Sequence, residues 1–385
     1  MSKYDIIKFN KDDIIIKSGE KPSNYFYIIT KGKTLCYNDF YKSYKYNSEK
    51  GSILGLVSSV IDEPYFSNIE VIEETEVIKI KTDSIININN EELLYKIYDY
   101  LYLVLETWLS KYYTILAKNK VDLYNKDDIL TMIEIYKNNG YTDVVYKMAE
   151  KYLQIFPDNN DIDEIKKILN NIKPSEKPKH IGGTSFKFKK GYCLYSEIDP
   201  ANHIYIITSG KIGIYSILNK KQIIRSVYSN GYIINGYPPS LEYKPLLTTA
   251  VILEDAVIEI ISKKDLVKMI DKDRALRMDF IKMAAMKVYN AVLKIKSINT
   301  KELNKKLIII IYSIIKMETL FCKDMKTLKL LYKIDDIKNM LNINNSDKDI
   351  YSQLQNIKYI EIDNLKNIKV SDVINYIKKY KNYIF

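Results

Sequence analysis

Arginine is almost missing from this sequence: Arg225, Arg274 and Arg277 are the only three among 385 residues. The positive charge is therefore nearly all lysine, a flexible point charge that lacks the planar fork with which guanidinium grips phosphate or guanine. Histidine is as scarce. His180 and His203 have no nucleophile motif or phosphate loop beside them, so no catalytic set emerges and the chain reads as a non-enzyme. Cys36, Cys193 and Cys322 lie far apart without CxxC spacing. That excludes a zinc or iron–sulfur site and a disulfide framework, fits a reducing compartment, and gives no reason to expect a cofactor or metal. Long apolar runs are missing too. Leu307 to Ile315 is too short to span a bilayer, and the opening MSKYDIIKFNKDD lacks the apolar stretch of a signal peptide. A cytoplasmic protein with no membrane partner is expected.

What is present is an ordinary globular composition, 46% hydrophobic, on a length that suits two or three domains. The abundance of Ile, Lys, Asn and Tyr, with 35 tyrosines against 10 phenylalanines, fits an AT-rich bacterial genome. A net charge of +11 has two readings, an anionic partner such as nucleic acid or merely a solvated basic surface.

A duplication organises the chain. Tyr27-Ile28-Ile29-Thr30-Lys31-Gly32-Lys33 recurs as Tyr205-Ile206-Ile207-Thr208-Ser209-Gly210-Lys211, with Pro22 and Asn24 matching Pro200 and Asn202 at the same spacing. Further on, Val71-Ile72, Glu74, Val77-Ile78 and Ile80 match Val251-Ile252, Glu254, Val257-Ile258 and Ile260 after a two-residue insertion. Both copies alternate β-branched and aromatic strands with Gly, Pro, Asn and Asp turns, the pattern of a β-roll or barrel.

Helical patterns separate and follow the copies. Leu94, Ile97, Leu101, Val104, Trp108, Tyr112 and Ile115 form one apolar stripe. From about Asp127 to Ile172, the spacing of Tyr136, Gly140, Ala149 and Pro157 resembles one tetratricopeptide-type hairpin plus a further helix. It is either a packed spacer or a partner-binding element, because one hairpin alone cannot bury both faces. From Lys173 to Ser185, proline and glycine argue against helix and strand alike. After the second copy, Ile281, Ala284, Val288, Ala291, Ile295 and Ile298 follow a heptad, the seam of a helix pair. Large residues on the first stripe and small ones on the second favour pairing of the two helices inside one molecule over a homodimer. The final block, from about Asn304, reads as helical with a strand-like close.

Phe9-Asn10-Lys11 and Phe188-Lys189-Lys190-Gly191 before the repeated Tyr-Ile-Ile-x-x-Gly-Lys, with a Gly-rich segment ahead of Val-Ile-x-Glu-x-x-Val-Ile, resemble the cyclic-nucleotide-binding domain of the Crp/Fnr superfamily. The resemblance implies a cassette in which helix N-terminal amides and an arginine hold the cyclic phosphate and a glutamate takes the ribose hydroxyl. In the first copy Gly51-Ser52-Ile53-Leu54-Gly55-Leu56 puts Leu56 at the glutamate, and Pro64-Tyr65-Phe66-Ser67-Asn68 puts Tyr65 at the arginine. In the second, Gly231-Tyr232-Ile233-Ile234-Asn235-Gly236 has lost the glutamate. Pro245-Leu246-Leu247-Thr248-Thr249 there puts Leu246 at the arginine and keeps only Thr249. Cyclic AMP and cyclic GMP are not expected to bind; any effector is unknown, neutral or weakly polar, and near Ser67 and Asn68 or Thr248 and Thr249.

In the same light Ile334 to Ile343 resembles the first helix of a winged helix-turn-helix, Ser346 and Asp347 to Leu354 occupy the recognition-helix position, and Tyr359 to Ile362 with Ile368 to Val370 would make the wing. Asn344 and Asn345 are additional residues in the turn, and Asp347-Lys348 replaces the family's base-reading Arg-Glu pair. Ser346, Lys348, Tyr351, Ser352 and Gln353 are the candidate DNA contacts. Sixteen lysines against ten acidic residues from Thr300 onward keep the backbone attraction that DNA needs.

The expected fold class is α+β: two cyclic-nucleotide-binding-like β-rolls (1–90 and 186–270), a long helix with a tetratricopeptide-like spacer (91–172), and a linker (173–185). A connecting, dimerisation-type helix (271–300) and a C-terminal winged helix (301–385) complete it. The expected function is a Crp/Fnr-like transcriptional regulator with degenerate sensor domains. The alternative is a non-DNA-binding scaffold that uses the rolls and spacer to bind protein.

Overall fold

The computed structural model describes residues 5–42, 44–117, 126–156, 160–197, 199, 203–218, 220–234, 248–322 and 324–385. The first roll comprises β1 (Asp5–Phe9), β2 (Ile14–Ile16), β3 (Tyr25–Tyr37), β4 (Lys45–Glu49), β5 (Ile53–Leu54), α1 (Leu56–Ile61) and β6 (Asn68–Lys81). Four helices follow: α2 (Glu91–Ala117), α3 (Lys126–Asn138), α4 (Thr142–Ile155) and α5 (Ile162–Asn171). The second roll comprises β7 (Lys179–Gly182), β8 (Ser185–Phe188), β9 (Cys193–Tyr195), β10 (Ile204–Leu218), β11 (Lys221–Tyr228), β12 (Ile233–Ile234) and β13 (Thr249–Ile261). Next come α6 (Lys263–Lys272), α7 (Arg274–Asn299), α8 (Leu303–Thr319), β14 (Leu328–Lys329) and α9 (Ile334–Leu341). The chain continues through α10 (Asp347–Gln355), β15 (Ile360–Ile362), β16 (Ile368–Val370) and α11 (Val373–Tyr380).

The chain divides into two compact units. One holds residues 1–112, 268–330 and 346–385, and the other holds 113–267 and 331–345.

In the first unit the sheet runs β1-β6-β3-β4, with β2 pairing β6 and β5 pairing β3. The second unit's sheet runs β11-β10-β13-β8-β7, with β12 on β10 and β9 on β13. The repeated glycine has the same task in both. At Gly32 (φ 88°) the β3–β6 register shifts, and a Cβ there would stand 2.2 Å from the Glu74 carbonyl oxygen. Gly210 (φ 86°) shifts β10 against β13, where a Cβ would stand 2.5 Å from the Asp255 carbonyl oxygen. Only glycine accepts both the left-handed backbone and the close approach, so the bulge bends each long strand at the same place. A second device is duplicated as well. Gly51 N–H donates to Ile29 C=O and Ile29 N–H to Ser52 C=O, and in the second roll Gly231 donates to Ile207 and Ile207 to Tyr232.

Within the first unit α7 packs most closely on α8 and then on α1. The heptad reading gave it one seam. Instead Ala284 and Ile298 are only half-buried while Met283, Met286, Tyr289 and Val292 are buried beside Ile281 and Val288, so the buried surface of α7 extends well beyond that seam. Asn290 Nδ2 donates 2.6 Å to Ser313 Oγ and satisfies the polar pair buried between α7 and α8. The α2 stripe reaches α7 through Tyr98 against Phe280, with ring centroids 5.6 Å apart, and through Tyr112 under the Lys294 ammonium at 5.5 Å.

In the second unit the helical stretch packs on the roll. Val144, Val145, Met148, Ala149 and Tyr152 of α4 are fully buried. Its Asp143, Lys147 and Lys151, one turn apart on one face, grip β9 and the turn after it: Asp143 accepts from Cys193 N–H at 2.7 Å, Lys147 donates to Cys193 C=O, and Lys151 pairs with Asp199.

Two local expectations change. Lys179–Gly182 is a strand, paired antiparallel with β8, because Gly182 and Gly183 supply the positive φ of a tight hairpin instead of forbidding one. The chain closes on α11, not on a strand: Asp372 caps it by accepting from Asn375 N–H, and Val373, Tyr376 and Tyr380 form its buried face. Among the described residues, no helix is long and apolar enough to cross a membrane.

Candidate functional site

Cassette geometry in the first roll starts at Gly55, the left-handed cap of α1, where a Cβ would stand 2.7 Å from Ile16 Cδ1 and 3.3 Å from the Tyr65 ring. Leu56 is fully buried in α1. Tyr65 is only 7% exposed and its hydroxyl lies 3.2 Å from both Ser23 N and Ser23 Oγ and 3.4 Å from Ser59 Oγ. Its backbone is bound as well, accepting from Gly19 N–H and donating to Glu20 C=O. Tyr65 therefore joins α1 to the segment before β3, and its oxygen is occupied by neutral partners.

The cavity beside it measures about 40 Å³ and is lined by Cys36, Tyr44, Tyr46, Tyr65 and Ser67, with Ile16 closing one wall. That is far below the ~300–1,000 Å³ of ordinary ligand pockets, and room for little more than ordered water. Burial pushes the Cys36 thiol up, so it is an uncharged hydrophobe. Trp108 of α2 is fully buried against Tyr44 (4.4 Å), Phe66 (5.8 Å) and Phe40 (6.2 Å). Of the two polar groups named for an effector, Ser67 lines this cavity, but Asn68 is committed: its Oδ1 accepts from Ser18 N–H at 2.9 Å.

In the second roll Gly231 takes its place in the duplicated hydrogen-bond pair, whereas Gly236, Asn235 and Pro245 to Leu247 lie outside the described residues, as do Pro200 and Asn202. Thr248 and Thr249 are buried. Thr249 Oγ1 accepts from Glu197 N–H at 3.1 Å, and the fully buried Glu197 carboxylate accepts from Ile217 N–H at 3.0 Å and from the Tyr136 hydroxyl at 3.2 Å. Burial and the Glu197 charge hold the Tyr136 phenol protonated, well above its ordinary range. A side chain of the helical stretch thus occupies the interior polar site of this roll.

Of the DNA candidates, Lys348, Tyr351 and Ser352 share one face of α10, whereas Gln353 lies on another. Ser346 caps α10, accepting from Asp349 N–H. Lys348 and Ser352 are exposed. Tyr351 donates 3.4 Å to Lys366 C=O in the β15–β16 loop and lies under the Lys366 ammonium, so the helix and the loop are tied together. Gln353 accepts from Asn304 of α8 through its backbone carbonyl. α9 is held elsewhere: Asn339 Nδ2 donates 3.0 Å to Gln222 C=O of β11, and the Tyr332 hydroxyl ahead of it accepts from Val227 N–H at 2.8 Å.

Sequence reading missed a buried charge cluster in the first unit. Glu63, following α1, is fully buried, with Oε1 2.7 Å from Lys316 Nζ and Oε2 accepting from Tyr312 at 2.8 Å. The available signal was Lys316 itself, a cation inside the apolar run Ile314-Ile315-Lys316-Met317. Glu197 gave none. Among the described residues, no cluster of His, Cys, Asp or Glu could hold a metal ion.

Residues 6–92 and 185–273 each match the cyclic nucleotide-binding domain family, so the chain carries two copies of that domain. No curated protein sequence matches it. Among solved structures, FixK2 from Bradyrhizobium japonicum is similar at 16% identity and TM-score 0.39, covering 51% of this chain and 97% of its own. A CooA mutant from Carboxydothermus hydrogenoformans follows at 14% identity and TM-score 0.38, covering 51% and 87%. The c-di-GMP responsive global regulator CLP of Xanthomonas campestris shows 11% identity and TM-score 0.37, covering 48% and 92%.

Proposed function

We propose that two cyclic nucleotide-binding domains serve here as closed scaffolds of a Crp/Fnr-like transcriptional regulator that works without a cyclic nucleotide and contacts DNA through α10 and the β15–β16 loop. Tyr65 carries the reading. It takes the position where the resemblance implies an arginine, and its hydroxyl is already bound by Ser23 and Ser59 beside a 40 Å³ cavity. A cyclic phosphate entering there would lose its hydration and meet no cation, a loss on the order of 2–5 kcal/mol relative to a paired site. The DNA half is supported by exposed Lys348 and Ser352 on α10 and by the Tyr351–Lys366 tie.

Gel shifts with genomic fragments across a salt series test it. Binding that weakens steeply with salt, less steeply for Lys348→Glu, and that ignores cyclic AMP is the expected result. A second reading, a scaffold that binds protein, draws support from α9. Its apolar residues are spent on the second roll, whereas the resemblance makes it half of a helix-turn-helix. Salt-independent or undetectable DNA binding would favour that reading.

A further inference from the structure

A second and larger cavity lies on the other face of β3 in the first roll. Cys36 lines the closed cassette cavity, whereas Leu35 and Tyr37, one residue to either side, line this one. It measures about 400 Å³, within the ~300–1,000 Å³ of ordinary ligand pockets. The duplication explains why it is open. Tyr37 corresponds to Tyr215 at the spacing of the repeated strand, and Leu35 opposite Asn47 corresponds to Gly213 opposite Val227. Tyr215 folds over Gly213, where a Cβ would stand 2.7 Å from its ring, and Tyr141 packs on it at 5.1 Å, so it is only 2% exposed. Leu35 denies Tyr37 that resting place and leaves it half-buried. The neighbouring strands differ in the same sense: β4 is exposed at every residue but Ser48, β11 only at Lys221.

Charges of both signs surround this cavity. Glu70 of β6 lies opposite Leu35, Lys45 of β4 lies opposite Tyr37, and the β3–β4 turn adds Asp39 and Lys42. Burial, then the Glu70 and Asp39 charges, push the Tyr37 phenol up, so both carboxylates stand near its hydroxyl. Among the described residues, none of the four charged groups forms an ion pair. Asn38 also lines the cavity and is 4% exposed; its Oδ1 accepts from Tyr41 N–H at 2.9 Å, which leaves the buried Nδ2 donor without a partner. A simple anion entering here would meet Asp39 and Glu70, and a simple cation would meet Lys42 and Lys45. A molecule that carries both charges satisfies all four, and Leu35 with the Tyr37 ring matches an apolar body between them. We propose that this cavity binds a zwitterion with an apolar side chain, a free α-amino acid or a dipeptide. Lys42 and Lys45 take its carboxylate, Asp39 and Glu70 its ammonium, and Leu35 and Tyr37 its side chain. The site is separate from the closed cassette and independent of the DNA-binding reading.

Titration calorimetry of the full chain with L-leucine, L-phenylalanine and leucyl-leucine tests it. Saturable one-to-one binding is expected, and the ranking of the free amino acids against the dipeptide identifies the source. N-acetylation removes the ammonium and amidation removes the carboxylate, and each should weaken binding about tenfold. Glu70→Gln should weaken binding of the parent compound by a similar factor and cease to discriminate against its N-acetyl form. Lys45→Met should do the same for the amide. Lys45 is exposed and Glu70 half-buried, so both variants are expected to fold, and their melting temperatures check this. Absence of binding by all three compounds overturns the proposal. So does binding that the N-acetyl and amide forms share undiminished, or that both variants leave intact.

Discussion

The Tyr136 hydroxyl of α3 donates a 3.2 Å hydrogen bond to Glu197 Oε1, and both side chains are wholly buried. Glu197 N–H in turn donates to Thr249, the one residue of the second cassette that matches the family segment. The helical stretch thus completes the polar interior of its roll, and a ligand would have to displace it.

Tyr136→Phe should accordingly destabilise the second unit by about 1–3 kcal/mol, since a buried carboxylate loses a hydrogen bond without gaining water. Thermal or urea unfolding measures it. An unchanged midpoint would mean that the contact is not formed in solution.

The Glu63–Lys316 pair predicts an asymmetric double-mutant cycle. Lys316→Met leaves the Glu63 carboxyl buried without its cation, a loss of about 3–5 kcal/mol, whereas Glu63→Gln combined with Lys316→Met should recover a large part of it. Unfolding free energies of the three variants check this. Additive losses would show that the two groups do not interact.

Asp336 in the first turn of α9 gives a pH signature. Burial raises its carboxyl to about 6, against the stabilising Lys333 N–H. The folded state therefore binds the proton more tightly than the unfolded chain, whose carboxyl titrates near 3.8. Its contribution to stability is complete below that lower value and is lost as pH rises through about 6. Asp336→Asn should flatten this part of the stability profile. Parallel pH profiles for both proteins, from melting curves at stepped pH, would contradict the assignment.

Gly32 and Gly210 explain why the two rolls were legible: a glycine needed for both backbone and clearance repeats with its strand, and the copies announce each other. Periodicity located α2 and α7, yet it assigned α7 a single seam, because burial extends round most of the helix between Ile281 and Ser297 and leaves little polar face to mark the rest. Gly182-Gly183 was read as a break and is a hairpin turn, since the same positive φ serves both and only the paired strand decides. Candidate groups fared according to how local their partners are. Ser346 caps the helix it precedes, but the Tyr65 hydroxyl answers to Ser23, and Glu63 to residues about 250 positions away, which no spacing rule reaches.

The claim that carries most weight is that Tyr65 and its serine partners close the first cassette to a cyclic phosphate. Titration calorimetry of the full chain with cyclic AMP and cyclic GMP tests it directly. The account predicts no measurable heat of binding for either nucleotide, and none for Tyr65→Phe, which should lose only about 1–2 kcal/mol of stability. Saturable one-to-one binding of either nucleotide to the unmodified chain at micromolar concentration would contradict it.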